Sequence, residues 1–256
     1  MDFTGKRILI TDASSGLGRL TAGMFHAAGA RVAIHGQSAD SVAATIREIG
    51  ADRLVPAVGD INDVTGTEAL VAAAVSSLGG LDGLVVNAAY SPRARTMEVT
   101  EDIWDAAVAA NLRSAVFAIK AALPALRSSQ GNIVVVSSAA ALMAGPTDQL
   151  MFSTTMAGLL GMARNLAIEL APYKVRINSV APGYLDTPEL AAASSQRREQ
   201  VQRFVAASIP LKRIGTLAEC ASAILYLASE GASYCSGTVI GVDGGAYANA
   251  SWGSAS

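Results

Sequence analysis

Between Thr11 and Gly18 the chain reads Thr-Asp-Ala-Ser-Ser-Gly-Leu-Gly, closing the apolar run RILIT and opening a helical pattern. A glycine-rich turn in that setting brings backbone N–H groups and a helix N-terminus up against a pyrophosphate. Gly16 and Gly18, on either side of Leu17, stand where close backbone approach is needed; Thr11, Ser14 and Ser15 complete the turn. Asp12 is the discordant residue. A carboxylate about 5 Å from a pyrophosphate, at an effective dielectric of about 20, is repelled by roughly 3 kcal/mol, whereas one facing a ribose accepts hydrogen bonds from its hydroxyls. Further groups with chemistry are Ser138 at a strand end, Asp148 at the start of a helical stretch, and Tyr90 and Tyr184 on loops after strands. Substrate pockets form at such strand ends in parallel sheets.

The elements that must hold these groups alternate along the chain. Short β-branched runs (RILIT, RVAI, RLVPAV, GLVV, NIVVVS, VRINSV, TVIGV) are separated by Ala-rich amphipathic stretches beginning near Gly16, Ser38, Val64, Thr100 and Thr216, with one across about 149–171. Continuous apolar strands between helices predict a doubly wound, parallel, seven-stranded α/β sheet in a single domain, residues 1–247, with a short tail over 248–256. Residues 184–208 lack clear periodicity, which predicts a lid or a pair of short helices.

Composition narrows the chemistry. The 256 residues are 51% hydrophobic and 16% charged, with a net charge of -2 and scattered Lys and Arg, a poor match to nucleic acid. His26 and His35 are the only histidines, and Cys220 and Cys235 the only cysteines, which argues against a metal site, a Ser-His-Asp hydrolase and a disulfide framework. The N-terminus runs directly into a strand with no charged-then-apolar leader, and no uninterrupted apolar run reaches about 18 residues, so a cytoplasmic protein is expected, without a membrane span.

The glycine-rich turn, Asn87-Ala88-Ala89 at one strand end, Ser137-Ser138 at another, Pro182-Gly183 and the later VDGG together resemble the short-chain dehydrogenase/reductase family, from Lys6 to about Gly245. The resemblance implies a dinucleotide site built from the turn, Gly36 and Gln37, an adenine-contacting pair Asp60-Ile61, Asn87 to Ala89, and Pro182-Gly183 with Thr187 near the nicotinamide. The segment His35-Gly36-Gln37-Ser38 ends the second strand without an acid to grip a ribose 2′-hydroxyl and without an arginine for a 2′-phosphate. The choice between NAD and NADP tips slightly to NADP. Ser138 matches the family's carbonyl-orienting serine and Asn111 its water-anchoring asparagine. The catalytic tyrosine lies thirteen residues after that serine in the family and the lysine four later; here those positions are Met151 and Thr155, and no tyrosine of the chain is followed by lysine at the fourth position.

Three functions stay open on this reading. One is an atypical NAD(P)-dependent oxidoreductase on a small carbonyl or alcohol, with Asp148 or Tyr184 as substitute proton donor. Another is a cyclase, lyase or isomerase that keeps nucleotide as a structural element. The third is a non-catalytic subunit paired with an active paralogue. Family tetramers form through helices equivalent to about 100–128 and 149–171, so a homodimer or homotetramer is expected.

Overall fold

The structure, a computed structural model, describes residues 1–249. In chain order its elements are β1 (Arg7–Ile10), α1 (Gly16–Ala27), β2 (Arg31–Gly36), α2 (Ala39–Ile49), β3 (Leu54–Val58), α3 (Val64–Leu78) and β4 (Gly83–Val86). There follow α4 (Glu101–Val108), α5 (Ser114–Ser129), β5 (Asn132–Val136), α6 (Leu150–Leu170), β6 (Arg176–Pro182), α7 (Pro188–Ala192), α8 (Ser195–Ser208), α9 (Leu217–Ala228), β7 (Val239–Val242) and α10 (Ala246–Asn249). All seven strands pair in parallel in the order β3-β2-β1-β4-β5-β6-β7. The chain therefore reverses direction across the sheet between β1 and β4, and the crevice beyond their C-terminal ends is where such sheets bind ligands.

Strand side chains alternate between two cores. Leu9, Leu84 and Ile133 face a core closed by α3, α5 and α6, while Ile8, Ile10 and Val134 face one closed by α1, α2 and α9. Burial on both faces is the reason the strands are apolar throughout rather than alternating.

Residues 184–208 hold two helices, α7 and α8. In α8 only Val201 and Val205 are buried, one turn apart, so two apolar residues carry the entire inward stripe and the period is barely visible in sequence. They join Ile209, Tyr184, Leu190 and Met143 in a small separate cluster that ties this helix pair to the loop after β5.

The helical run Glu101–Ser129 has the length and hydropathy to cross a bilayer, but 44% of its most apolar window is buried in the fold, against α3 and α6. A five-residue π-turn, Ala109–Arg113, interrupts it. The expected tail begins inside α10 at Ala248, and residues 250–256 lie outside the described residues.

Helix α9 is fixed by a reciprocal cap. The Glu219 N–H donates to Thr216 Oγ1 at 3.2 Å, and the Thr216 N–H donates to Glu219 Oε2 at 2.7 Å. Hydrogen bonds from the Arg213 guanidinium, then from Thr216, lower the Glu219 carboxyl from 4.5 to about 2. A depressed carboxyl contributes stability that is complete above its unfolded value and disappears as pH falls through the folded one. Glu219→Gln is thus expected to melt lower than the native protein at neutral pH, with the gap closing between pH 4.5 and about 2 in a pH series of thermal melts.

Candidate functional site

The glycine-rich turn sits at the β1/β4 reversal. Helix α1 begins at Gly16 with no side-chain cap on Ser15 and no acidic residue in its first turn. Side chains cap α3, α4, α7, α8 and α9 (Asp63, Thr100, Thr187, Ser194 and Thr216), whereas α2, α5 and α6, like α1, have no side-chain cap; of these four, α1 is the one that follows the glycine-rich turn. The uncapped N-terminus, with its partial positive charge, suits a phosphate group. Gly18 keeps this start close to the turn, because a Cβ there would meet the Asp12 carbonyl, 2.8 Å from Asn87 Nδ2 and 2.9 Å from Ala13 Cα. Leu17 packs partly into the core beneath, and Ser15 is exposed.

Hydrogen bonds lock the turn. Thr11 Oγ1 accepts from the Asn87 N–H at 2.9 Å and the Ala88 N–H at 3.3 Å, which joins the ends of β1 and β4. Asn87 Nδ2 donates to the Asp12 carbonyl at 3.1 Å. Asp12 has φ +50°, the left-handed conformation, which Asp tolerates better than most residues. Its N–H donates to His35 Nδ1 at 2.9 Å, and His35 Nε2 lies 3.1 Å from the Gly59 carbonyl, so the ring is the Nε2-protonated, neutral tautomer. Burial, at 2% exposure, lowers the pKa of His35. Sequence reasoning missed this brace; its only trace was a histidine where the second strand ends. Gly36 lets β2 approach the turn, since a Cβ there would stand 2.8 Å from Ser14 Oγ.

A cavity of about 480 Å³ opens beside this turn. Asp12, His35 and Gln37 form one wall, Ile61 and Asn62 another, with Ala88 to Tyr90 opposite. Of the pair Asp60-Ile61, Ile61 lines the cavity, whereas the exposed Asp60 carboxylate accepts from the Asn62 N–H at 2.8 Å and holds the turn. Asn62 is a wall residue that sequence reasoning did not single out. Pro182 ends β6, the Gly183 N–H donates to the Val242 carbonyl at 2.9 Å, and Thr187 caps α7.

Ser138 stands just past β5, half-buried, with Oγ accepting the Ala140 N–H at 3.2 Å, which leaves its O–H free to donate. Met151 and Thr155 face inward from α6 and are buried. Asn111 is carried in the π-turn, where its amide is fully engaged. Nδ2 donates to Thr155 Oγ1 at 2.8 Å and to the Tyr90 carbonyl at 2.9 Å, and Oδ1 accepts the Tyr90 N–H at 2.6 Å. The Thr155 hydroxyl in turn donates to the Met151 carbonyl at 2.8 Å. This interior is polar but closed upon itself.

The two residues expected as substitute donors lie apart. Asp148 pairs with Arg93 at 3.0 Å, both partly exposed. Tyr184 packs its ring 5.4 Å from Phe204 and lines a second cavity of about 300 Å³ with Arg213, Glu219 and Asp243. Among the described residues no hydrogen bond joins Ser138, Asp148 and Tyr184. Nor do three or more His, Cys, Asp or Glu side chains converge as metal ligands among them.

Residues 12–247 match the family model described as enoyl-(acyl carrier protein) reductase. The chain is 34% identical to the 3-oxoacyl-acyl-carrier-protein reductase of Thermotoga maritima, covering 96% of this chain and 99% of that protein. It is 35% identical to the L-rhamnose 1-dehydrogenase (NAD(P)(+)) of Azotobacter vinelandii, covering 95% and 97%. A 3-oxoacyl reductase structure from Brucella melitensis superposes with a TM-score of 0.88 at 32% identity, covering 96% and 92%. A Caenorhabditis elegans short-chain dehydrogenase/reductase of unknown function, solved with cofactor, gives 0.85 at 30%, covering 95% and 96%. With the reversal-point cradle, the serine past β5 and these matches along nearly its whole length, the chain belongs to the short-chain dehydrogenase/reductase family.

Proposed function

We propose that this family member is an NAD(P)-dependent oxidoreductase of small carbonyl or alcohol substrates whose proton donor is not the family's tyrosine. The observation that carries the reading is the uncapped start of α1 at Gly16 and Gly18, set at the β1/β4 reversal on the turn whose Asp12 lines the cavity. When bound there, the dinucleotide supplies or takes up the hydride. Thr11, Asn87 and His35 hold the turn that would receive its phosphates, Ile61 and Ala88 to Ala89 would flank its adenosine, and Pro182 and Gly183 at the end of β6 with Thr187 at the start of α7 would border its nicotinamide. Ser138 donates its free O–H to the substrate oxygen.

At positions 151 and 155 stand a thioether and a hydroxyl, neither of which supplies a proton at neutral pH. A positioned general acid contributes roughly 10²–10⁴ in rate, while holding donor against acceptor contributes about 7–11 kcal/mol, so turnover of activated substrates survives its absence. Asp148, two residues before α6, is the candidate for the substitute proton-transfer group, and it would have to leave its ion pair with Arg93 to take up and deliver a proton. Tyr184 lines the pocket, its ring held by Phe204. The enzyme is read as a cytoplasmic homo-oligomer; exposed Trp104 and Val116 on the 101–129 run and Ile168 on α6 support self-association.

The closed Asn111–Thr155 pair favours one competing reading, a non-redox enzyme or a non-catalytic subunit that keeps the nucleotide for structure. Calorimetric titration with NADH and NADPH, followed by a broad ketone and alcohol panel, separates the two. We expect dinucleotide binding, turnover confined to activated substrates, and loss of that turnover in Asp148→Asn with binding retained. Binding without turnover on any substrate would shift the assignment to the non-redox reading.

A further inference from the structure

The cavity beside the turn carries an acid where its lining supplies no Lys or Arg. Asp12 contributes that acid from an unusual place, the turn after β1 rather than the end of β2. Its backbone is held on both sides, by the N–H bond to His35 at 2.9 Å and by the Asn87 bond to its carbonyl at 3.1 Å, so the side chain has a fixed origin on the cavity wall. The neighbours on that wall are His35 and Gln37, from the end of β2, which is the ribose side of the site rather than the pyrophosphate side at the start of α1.

We infer that Asp12 chooses the dinucleotide: its carboxylate accepts hydrogen bonds from the hydroxyls of the adenosine ribose and repels a 2′-phosphate, so that the chain takes NAD in preference to NADP. This rests on the dinucleotide reading above and opposes the slight tilt to NADP given by the acid-free end of β2. The surroundings reinforce it. Gln37 is neutral, His35 is held neutral by burial and its two hydrogen bonds, and the Glu189 carboxylate of α7 adds negative potential at Asp12, whose own pKa is raised chiefly by burial. A 2′-phosphate would enter this cavity against an uncompensated negative charge. A charge pair about 5 Å apart at an effective dielectric of about 20 corresponds to roughly a hundredfold in affinity, and exposure reduces this toward about tenfold.

The test is calorimetric titration of NAD and NADP against the native protein, Asp12→Asn and Asp12→Gly. Asn and Gly both accept the left-handed backbone at this position, so the variants keep the turn. Expected are a native preference for NAD of about tenfold or more, NADP binding tightened about ten- to a hundredfold in both variants, and NAD binding unchanged or weaker. Native NADP binding as tight as NAD would overturn the assignment of Asp12 while leaving the dinucleotide site intact. So would tightening of both nucleotides equally in the variants, which would place the carboxylate against the pyrophosphate. Binding of neither nucleotide to any of the three proteins would overturn the dinucleotide reading and this assignment together.

Discussion

Met151→Tyr combined with Thr155→Lys is expected to create or raise ordinary ketone reduction by about 10²–10⁴, the contribution of one positioned general acid. The two positions occupy one face of α6, a turn apart, as the Thr155 hydroxyl bond to the Met151 carbonyl at 2.8 Å shows. Both look into the fold, with exposures of 3% and 1%. A tyrosine at 151 would extend from the same helical turn that flanks the serine loop, and a lysine at 155 would supply the charge that stabilises its phenolate. Either change alone should do far less. Tyrosine without the cation keeps an ordinary phenol, and lysine without the phenol buries an ammonium beside Asn111 Nδ2, itself a donor. The measurement is kcat/KM for the native protein, both single variants and the double variant on a ketone panel with each reduced nucleotide. Non-additivity is the signature, with the double variant exceeding the product of the single effects. A double variant that binds nucleotide yet stays inert would remove the view of this cleft as a redox site lacking only its acid.

What was legible in the chain follows from which interactions leave a local pattern. Seven apolar runs bounded by turn residues reveal a parallel sheet because burial on both faces fixes every residue of a strand. The starts of α4 and α9 were equally visible near Thr100 and Thr216, the residues that cap them within three positions. Helix α8 was not, because two buried valines make too short a stripe to register as a period. The site divides in the same way. Gly16, Gly18 and Ser138 announce themselves by position in a strand–turn–helix frame. The partnership of Asp12 with His35 spans 23 residues and that of Asn111 with Thr155 spans 44, so neither has a sequence signal short of the fold. Asn62 lines the cavity beside Ile61 without having been singled out, because its place on the wall follows from the turn that the Asp60 carboxylate holds.

Asn111→Ala is expected to be the most damaging single substitution in the site interior. The π-turn Ala109–Arg113 turns this side chain inward at 1% exposure, where it serves three groups at once. Removing the amide strips Tyr90 of partners for both its N–H and its carbonyl and leaves Thr155 Oγ1 without a donor, though its own bond to the Met151 carbonyl persists. Each buried polar group left unpaired costs about 1–3 kcal/mol, and the vacated volume adds to that. Because Tyr90 is 44% exposed, water restores part of its loss, which sets the expected total at about 2–4 kcal/mol. For a chain of this size that lowers the melting temperature by roughly 4–16 °C. The damage should also reach nucleotide binding, since Tyr90, which the Asn111 amide holds by two hydrogen bonds, walls the same cavity as Asp12. Thermal melts and an NAD titration of the variant test both consequences. A melting temperature within about 1 °C of the native value would mean that the Tyr90 loop is held by other contacts and that the closed amide network carries little of the stability assigned to it.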